Sequence, residues 1–218
     1  MTVPPPSTPP SAGDTSPPKA PKVVLATRNP HKITELRAIL AATGVTIDLI
    51  GVNTFPDVPD VPETGVTFAQ NALLKAAETA RRTGLPSIAD DSGLCVDVLG
   101  GAPGIFSARW AGKHGDDEAN LDLLLAQLAD IADRHRKAHF ACAAALALPD
   151  GPAVVREGRI DGTLLHARRG TNGFGYDPIF LPDGHDRTTA QMPAEEKNAI
   201  SHRTRAFQAL AKDLAELL

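Results

Sequence analysis

Apolar positions along the chain fall into two rhythms, and their alternation predicts a mixed α/β protein. Val23-Val24-Leu25-Ala26 is a short continuous apolar run that suits a buried strand. It is followed by Ile33, Leu36, Ile39 and Leu40, which share one helical face, with Asn29 placed to cap that helix and Pro30 at its first position. Val45, Ile47 and Leu49 alternate as in a half-buried strand. A second helix is predicted from about 67 to 83, with a Thr67/Gln70 capping box, a stripe of Phe68, Ala72, Leu73, Ala76 and Ala80, and a stop at Gly84. Leu85 to Ala89 reads as a strand running into Asp90-Asp91-Ser92-Gly93, a flexible acidic turn. Leu94 to Leu99 then reads as a further strand with Leu94, Val96 and Val98 on one face. Three glycines and a proline between 100 and 104 impose a loop. A third helix is expected from about 116 to 134 through Leu121, Leu124, Leu125, Leu128 and Ile131. The alanine-rich stretch 139–148 is assigned to a strand, because Pro149-Asp150-Gly151 makes a hairpin turn into a second strand-like run from Ala153 to Ile160. The chain closes with a helix carrying Ala206, Phe207, Leu210 and Leu214 on its apolar face.

Composition narrows the class. With 218 residues and 42% apolar content the chain can bury a sizeable core. Residues 1–21 stand apart: they are rich in Pro, Ser and Thr and lack apolar periodicity, so they are expected to be a disordered tail preceding a single domain over 22–218. The net charge of −4 argues against a broad nucleic-acid surface, so a polyanionic ligand must be small and met by a local basic cluster. Neither a membrane-length apolar run nor a signal peptide is visible, which points to a cytoplasmic protein. Cys95 and Cys142 lie in apolar surroundings and read as buried, reduced thiols, with a bridge between them as the alternative.

Candidate chemistry gathers at four places. Two adjacent carboxylates, Asp90 and Asp91, repel each other unless a cation or donor compensates them, and a divalent metal would do so. Arg28 and Lys32 flank a strand-to-helix junction whose free N–H groups favour phosphate. The stretch 170–180 packs three glycines with Phe174 and Tyr176, either of which could stack on a planar base, into a loop whose spacing is not the dinucleotide fingerprint. Lys197, His202 and Arg203 form a basic block. Glu63 reads as a surface carboxylate that becomes a ligand only if the fold brings it to Asp91.

Five segments taken in order resemble the motif set of the inosine/xanthosine triphosphate pyrophosphatases. They are Thr27-Arg28-Asn29-Pro30-His31-Lys32, Ala89-Asp90-Asp91-Ser92-Gly93-Leu94, Gly100-Gly101-Ala102-Pro103-Gly104, Gly173-Phe174-Gly175-Tyr176-Asp177-Pro178 and Glu196-Lys197-Asn198-Ala199-Ile200-Ser201-His202-Arg203. The resemblance runs from about residue 22 to the C-terminus. It implies an α/β fold with a long, curved mixed sheet, flanking helices in two lobes, an active site in the cleft between them, and a homodimer. It also implies Mg²⁺-dependent hydrolysis of ITP, dITP or XTP to the monophosphate and pyrophosphate. On this pattern Asp91 is general base and metal ligand, and Glu63 is a second metal-associated acid. Thr27, Arg28, Asn29, Pro30, His31, Lys32, Ser92, Phe174, Gly175, Tyr176, Asp177, Lys197, His202 and Arg203 bind substrate. Two departures, Arg28 and Gln191, bear on fine specificity. A Maf-like nucleotide pyrophosphatase and a non-catalytic nucleotide-binding protein stand as the other readings, whereas a haloacid-dehalogenase phosphatase is disfavoured because Asp90-Asp91-Ser92 lacks the Asp-x-Asp spacing.

Overall fold

The computed structural model describes residues 20–28 and 30–218, and the side chains of residues 30 and 31 are outside the description. The tail expected over 1–21 therefore falls almost wholly outside the described residues, as does the helix cap assigned to Asn29. A six-stranded sheet has the order β2-β1-β3-β4-β5-β6, built from β1 (Lys22–Leu25), β2 (Asp48–Gly51), β3 (Ser87–Val96), β4 (Lys137–Ala147), β5 (Ala153–Leu164) and β6 (Phe180–Pro182). β1 pairs in parallel with β2 and β3, and the remaining pairs are antiparallel, so the sheet is mixed as expected. The central placement of β1 explains its unbroken apolar run, since Val23, Val24 and Leu25 are covered on both faces.

Helices cover both faces. α1 (Pro30–Ala42) and α5 (His202–Leu217) pack Leu36, Ile39, Leu40, Phe207, Leu210 and Leu214 against Ile88, Cys142, Ala144 and Leu146. On the opposite face α2 (Phe68–Thr83) lays Ala72, Ala76 and Ala80 on Ala89, Ala143, Ala145 and Ala147. This alanine-on-alanine contact explains how β4 keeps a composition that favours helix. Small side chains let α2 sit close to the sheet, and pairing with β3 and β5 along its length overrides propensity. A second lobe surrounds the far ends of β3, β4 and β5, where Leu94, Val96, Ala138, Ile160 and Leu164 meet Leu121, Leu124 and Leu128 of α3 (Asp117–Gln127) and its following turn, together with Tyr176, Ile179 and Phe180. Both cysteines are buried and free.

Four expectations need correction. Asp90-Asp91-Ser92-Gly93 is no turn; it is the middle of the ten-residue β3, paired residue for residue with β4 from Ser87 to Val96. The strand ends at Val96, so Val98 lies in a 3-10 turn and is 44% exposed instead of sharing the inward face of Leu94 and Val96. The third helix stops at Gln127. Beyond it the buried Arg136 donates to the carbonyls of Leu128, Leu164 and Leu165, which ties the end of the helix to β5 and ends its continuation. The cap of α2 also differs in detail, since Thr67 accepts from the Gln70 N–H but the Gln70 side chain accepts from Val66 and not from Thr67.

Candidate active site

Because side chains alternate along a strand, Asp90 and Asp91 leave β3 on opposite faces and meet different neighbours. Asp90 faces α1 and α5, where its Oδ2 accepts from Arg203 Nε at 3.1 Å and lies 3.1 Å from Lys32 Nζ. Arg203, itself buried, continues to Glu35 Oε2 at 2.6 Å and Ser92 Oγ at 2.8 Å. Its position is set by the start of α5, where Ser201 Oγ accepts from the Thr204 N–H. Burial works to raise the Asp90 carboxyl, but Lys32 and Arg203 outweigh it and hold its pKa well below the usual carboxylate range. Asp90 is therefore an anion already compensated by protein cations.

Asp91 faces α2 and the cleft. Its Oδ2 accepts from Asn71 Nδ2 at 3.1 Å, and its Oδ1 lies 3.4 Å from Lys75 Nζ. The same ammonium donates to Glu63 Oε1 at 2.7 Å, and Arg109 lies 3.6 Å from Glu63 Oε2. Burial pushes the Asp91 pKa up, with Glu63 adding to the rise and Lys75, Lys32 and Asn71 opposing it. Glu63 moves the other way, because Lys75, Lys32 and Arg109 overcome its burial. Adjacent carboxyl groups thus have their proton affinities driven apart by their surroundings.

The far wall is a loop held by its own acid. Asp177 is buried and accepts from the Phe174 N–H at 2.9 Å, from Lys197 Nζ at 2.5 Å and from Thr189 Oγ1 at 2.8 Å. Gly173, at φ 75°, leaves no space for a Cβ beside that carboxylate. Lys197 Nζ also sits 4.9 Å from the centre of the Phe174 ring. From α3, Asp117 Oδ2 accepts from the Gly175 N–H at 2.9 Å. His202 stacks on Phe140 at 5.0 Å, and burial together with Arg203 and Lys197 keeps its imidazole neutral by pushing its pKa well down. Asp91, Glu63, Lys75, Asp177, Lys197 and Arg203 line one cleft of about 900 Å³ between the two lobes, whereas Asp90 lies behind its wall.

A model of the Ham1 family matches residues 23–213. This chain belongs to the Ham1 family. The Ham1 relatives include a protein from Streptomyces coelicolor named dITP/XTP pyrophosphatase, 70% identical over 197 residues that cover 90% of this chain and 98% of that one. Among solved structures, the Ham1 protein of Staphylococcus aureus superposes with a TM-score of 0.80 at 39% identity, covering 90% of this chain and 100% of the other. A nucleoside-triphosphatase/dITP/XTP pyrophosphatase from Mycobacterium abscessus does so with a TM-score of 0.73 at 52% identity, covering 87% and 97%.

In this Ham1 chain the cleft brings together Thr27, Arg28, Lys32, Glu63, Asp91, Ser92, Phe174, Gly175, Tyr176, Asp177, Lys197, His202 and Arg203. Asn29 and the side chains of Pro30 and His31 are outside the described residues. The Tyr176 ring is embedded in the second lobe, its hydroxyl donating to the Ser107 carbonyl at 2.9 Å, which leaves Phe174 as the aromatic available for stacking. Arg28 turns outward, donating to Asp60 Oδ1 at 2.7 Å and to the Val58 carbonyl at 2.5 Å, and so ties the proline-rich loop to the rim. Sequence reasoning missed Lys75, Asn71, Arg109 and Asp117. The first two carried a readable signal, since Asn71, Lys75 and Thr79 repeat every four residues beside the alanine stripe of α2.

Proposed function

We propose that this protein hydrolyses non-canonical purine nucleoside triphosphates, ITP, dITP and XTP, to the monophosphate and pyrophosphate. The observation that carries the reading is kinship across nearly the whole chain with proteins named dITP/XTP pyrophosphatase. The cleft suits it, with a base-sized aromatic and a lysine on one wall and carboxylates and cations on the other. The catalytic unit spans 22–218, works as a cytoplasmic homodimer, and takes a single nucleotide without nucleic acid or membrane. No helix among the described residues is long and apolar enough to cross a membrane.

In the proposed reaction a water oxygen forms a bond to the α-phosphorus while the bond to the α,β-bridging oxygen breaks, and pyrophosphate leaves with that oxygen. Asp91 takes the water proton. Its raised pKa makes it a better acceptor than an ordinary carboxylate, and Asn71 and Lys75 each leave lone pairs on its oxygens free to orient the water. Lys32, Lys75 and Arg203 meet phosphate charge, with the Thr27-to-Lys32 junction supplying N–H groups. A divalent ion fits Glu63 and Asp91, two hard oxygen ligands that the fold brings to the same Lys75 ammonium, and we assign it as Mg²⁺. When bound, it would neutralise charge on the phosphates.

Phe174 stacks on the purine, and the Lys197 ammonium beside it donates to a 6-keto oxygen. Adenine would present a donor to that donor, at a cost of about 1–3 kcal/mol for each buried group left unpaired. The deciding assay is pyrophosphate release from ITP, XTP, GTP and ATP with Mg²⁺. Preferential release from ITP and XTP is expected. Single-phosphate release, preference for other nucleotides, or binding without turnover would reject the assignment.

A further inference from the structure

Two carboxylates suited to a divalent ion, Glu63 and Asp91, already hold a cation between them. Lys75 Nζ lies 2.7 Å from Glu63 Oε1 and 3.4 Å from Asp91 Oδ1. We propose that the Lys75 ammonium occupies the divalent-metal position of the nucleotide-free protein, so that metal enters together with a polyphosphate that takes over the lysine's charge. The inference rests on the triphosphate reading of the cleft and concerns how that site is loaded.

Three observations carry it. The side chain of Lys75 is only 14% exposed and its stem is held on α2, so the ammonium reaches only its carboxylate partners and the cleft. Its partners are the two carboxylates or an anion entering the cleft that it lines. The charges are also balanced without a metal. Lys32, Lys75, Arg109 and Arg203 face Glu35, Glu63, Asp90 and Asp91, four basic against four acidic side chains. A bare divalent ion entering this set would bring two uncompensated charges beside Lys75, whereas one carried by a triphosphate brings its own counter-charge. Finally, no group of three His, Cys, Asp or Glu side chains among the described residues is arranged to hold a metal ion. The protein supplies at most part of a coordination shell, and phosphate oxygens complete it.

Mn²⁺ binding, followed by the electron paramagnetic resonance signal of the free ion, tests this without turnover. Wild type should bind Mn²⁺ at least about tenfold more tightly with the non-hydrolysable α,β-imido analogue of ITP than without nucleotide, once the Mn²⁺ held by the analogue in a protein-free control is subtracted, because the triphosphate brings the counter-charge that the nucleotide-free site lacks. Lys75→Met, matched in length but neutral, should bind Mn²⁺ without nucleotide at least about tenfold more tightly than wild type. Equal or weaker binding by a folded Lys75→Met protein would overturn the proposal. If that variant does not fold, wild type alone decides: Mn²⁺ binding as tight without nucleotide as with it also overturns the proposal. Loss of the parent reading shows elsewhere, as absence of pyrophosphate release from ITP by wild type, which leaves the nucleotide-free comparison of the two proteins intact.

Discussion

Replacing Asp90 with asparagine removes one charge and nearly nothing else, and the structure sets the size of the effect. The carboxylate is fully buried and sits 3.1 Å from both Lys32 Nζ and Arg203 Nε. A neutral amide in its place would remove the charged oxygen that Lys32 Nζ and Arg203 Nε share, leaving Arg203 its bonds to Glu35 and Ser92. Breaking a buried ion pair from one side costs about 3–5 kcal/mol, far more than the ~1 kcal/mol or less of an exposed pair such as Arg28–Asp60. For a chain of this length that corresponds to a melting point lower by about 6–20 °C. Urea unfolding of both proteins at pH 7, with Asp60→Asn as control, measures it. The pH dependence is diagnostic. Asp90 has a folded pKa depressed below its usual value of 3.8, so its contribution is complete above that value and is lost as pH falls towards the folded pKa. The stability gap between wild type and Asp90→Asn should therefore be constant from pH 7 to 5 and shrink below pH 4 by about 1 kcal/mol per unit. A loss under about 1 kcal/mol at pH 7, or a gap unchanged between pH 5 and 3, would refute the reasoning.

Asp91→Asn should keep the fold and lose about 10²–10⁴ in kcat for pyrophosphate release, a coupled phosphate assay being the check; near-normal turnover removes Asp91 as base. His202 is buried neutral, so the unfolded chain takes up a proton below about pH 6.5 and the folded one does not. Wild type should therefore lose stability as pH falls from 6.5 to 5, and His202→Gln should flatten that slope in urea titrations at pH 5, 6 and 7.5. Gly158→Ala drives a Cβ into the His202 carbonyl and the Ala206 N–H, backbone atoms that cannot step aside, so α5 must lift from β5. A loss of about 1–3 kcal/mol is expected, visible as a lowered denaturation midpoint. Asp117→Ala frees the Gly175 N–H and should raise KM for ITP about tenfold with a smaller change in kcat, as steady-state kinetics would show.

Local signals in the sequence identified much of the fold. The buried run of β1, the amphipathic stripe and Gly84 stop of α2, and the hairpin at Pro149-Asp150-Gly151 are each determined by residues close in the chain. What escaped depended on distant partners. Asp and Gly are poor strand formers, so Asp90 to Gly93 read as a turn. They stay extended because β4 pairs along their whole length, while Arg203, 113 residues away from Asp90, neutralises its charge. The third helix was drawn too long for the same reason, since the carbonyls that Arg136 ties together lie partly on β5. The site was legible as motifs, but its division of labour was not. Glu63 and Asp91 are connected by a lysine that belongs to none of the recognised segments.

The adjacent acids acquire different roles through strand geometry. A turn would leave both carboxylates in water with ordinary proton affinities. In β3 each is committed to one face, and the two faces differ in what covers them. On the α5 side, Arg203 and Lys32 converge on Asp90, and the resulting cluster joins α1, β3 and α5 across their buried contact. On the α2 side, Lys75 and Asn71 supply weaker compensation, so burial prevails and Asp91 becomes the more basic of the pair while still lining the cleft. If Asp90 were neutral, Lys32 and Arg203 would turn their unbalanced charge on Asp91, one residue away, and lower the very proton affinity its proposed task requires. In the proposed chemistry Asp90 would therefore act by absorbing cations, and the continuity of β3 between the two lobes holds the pair in that opposition.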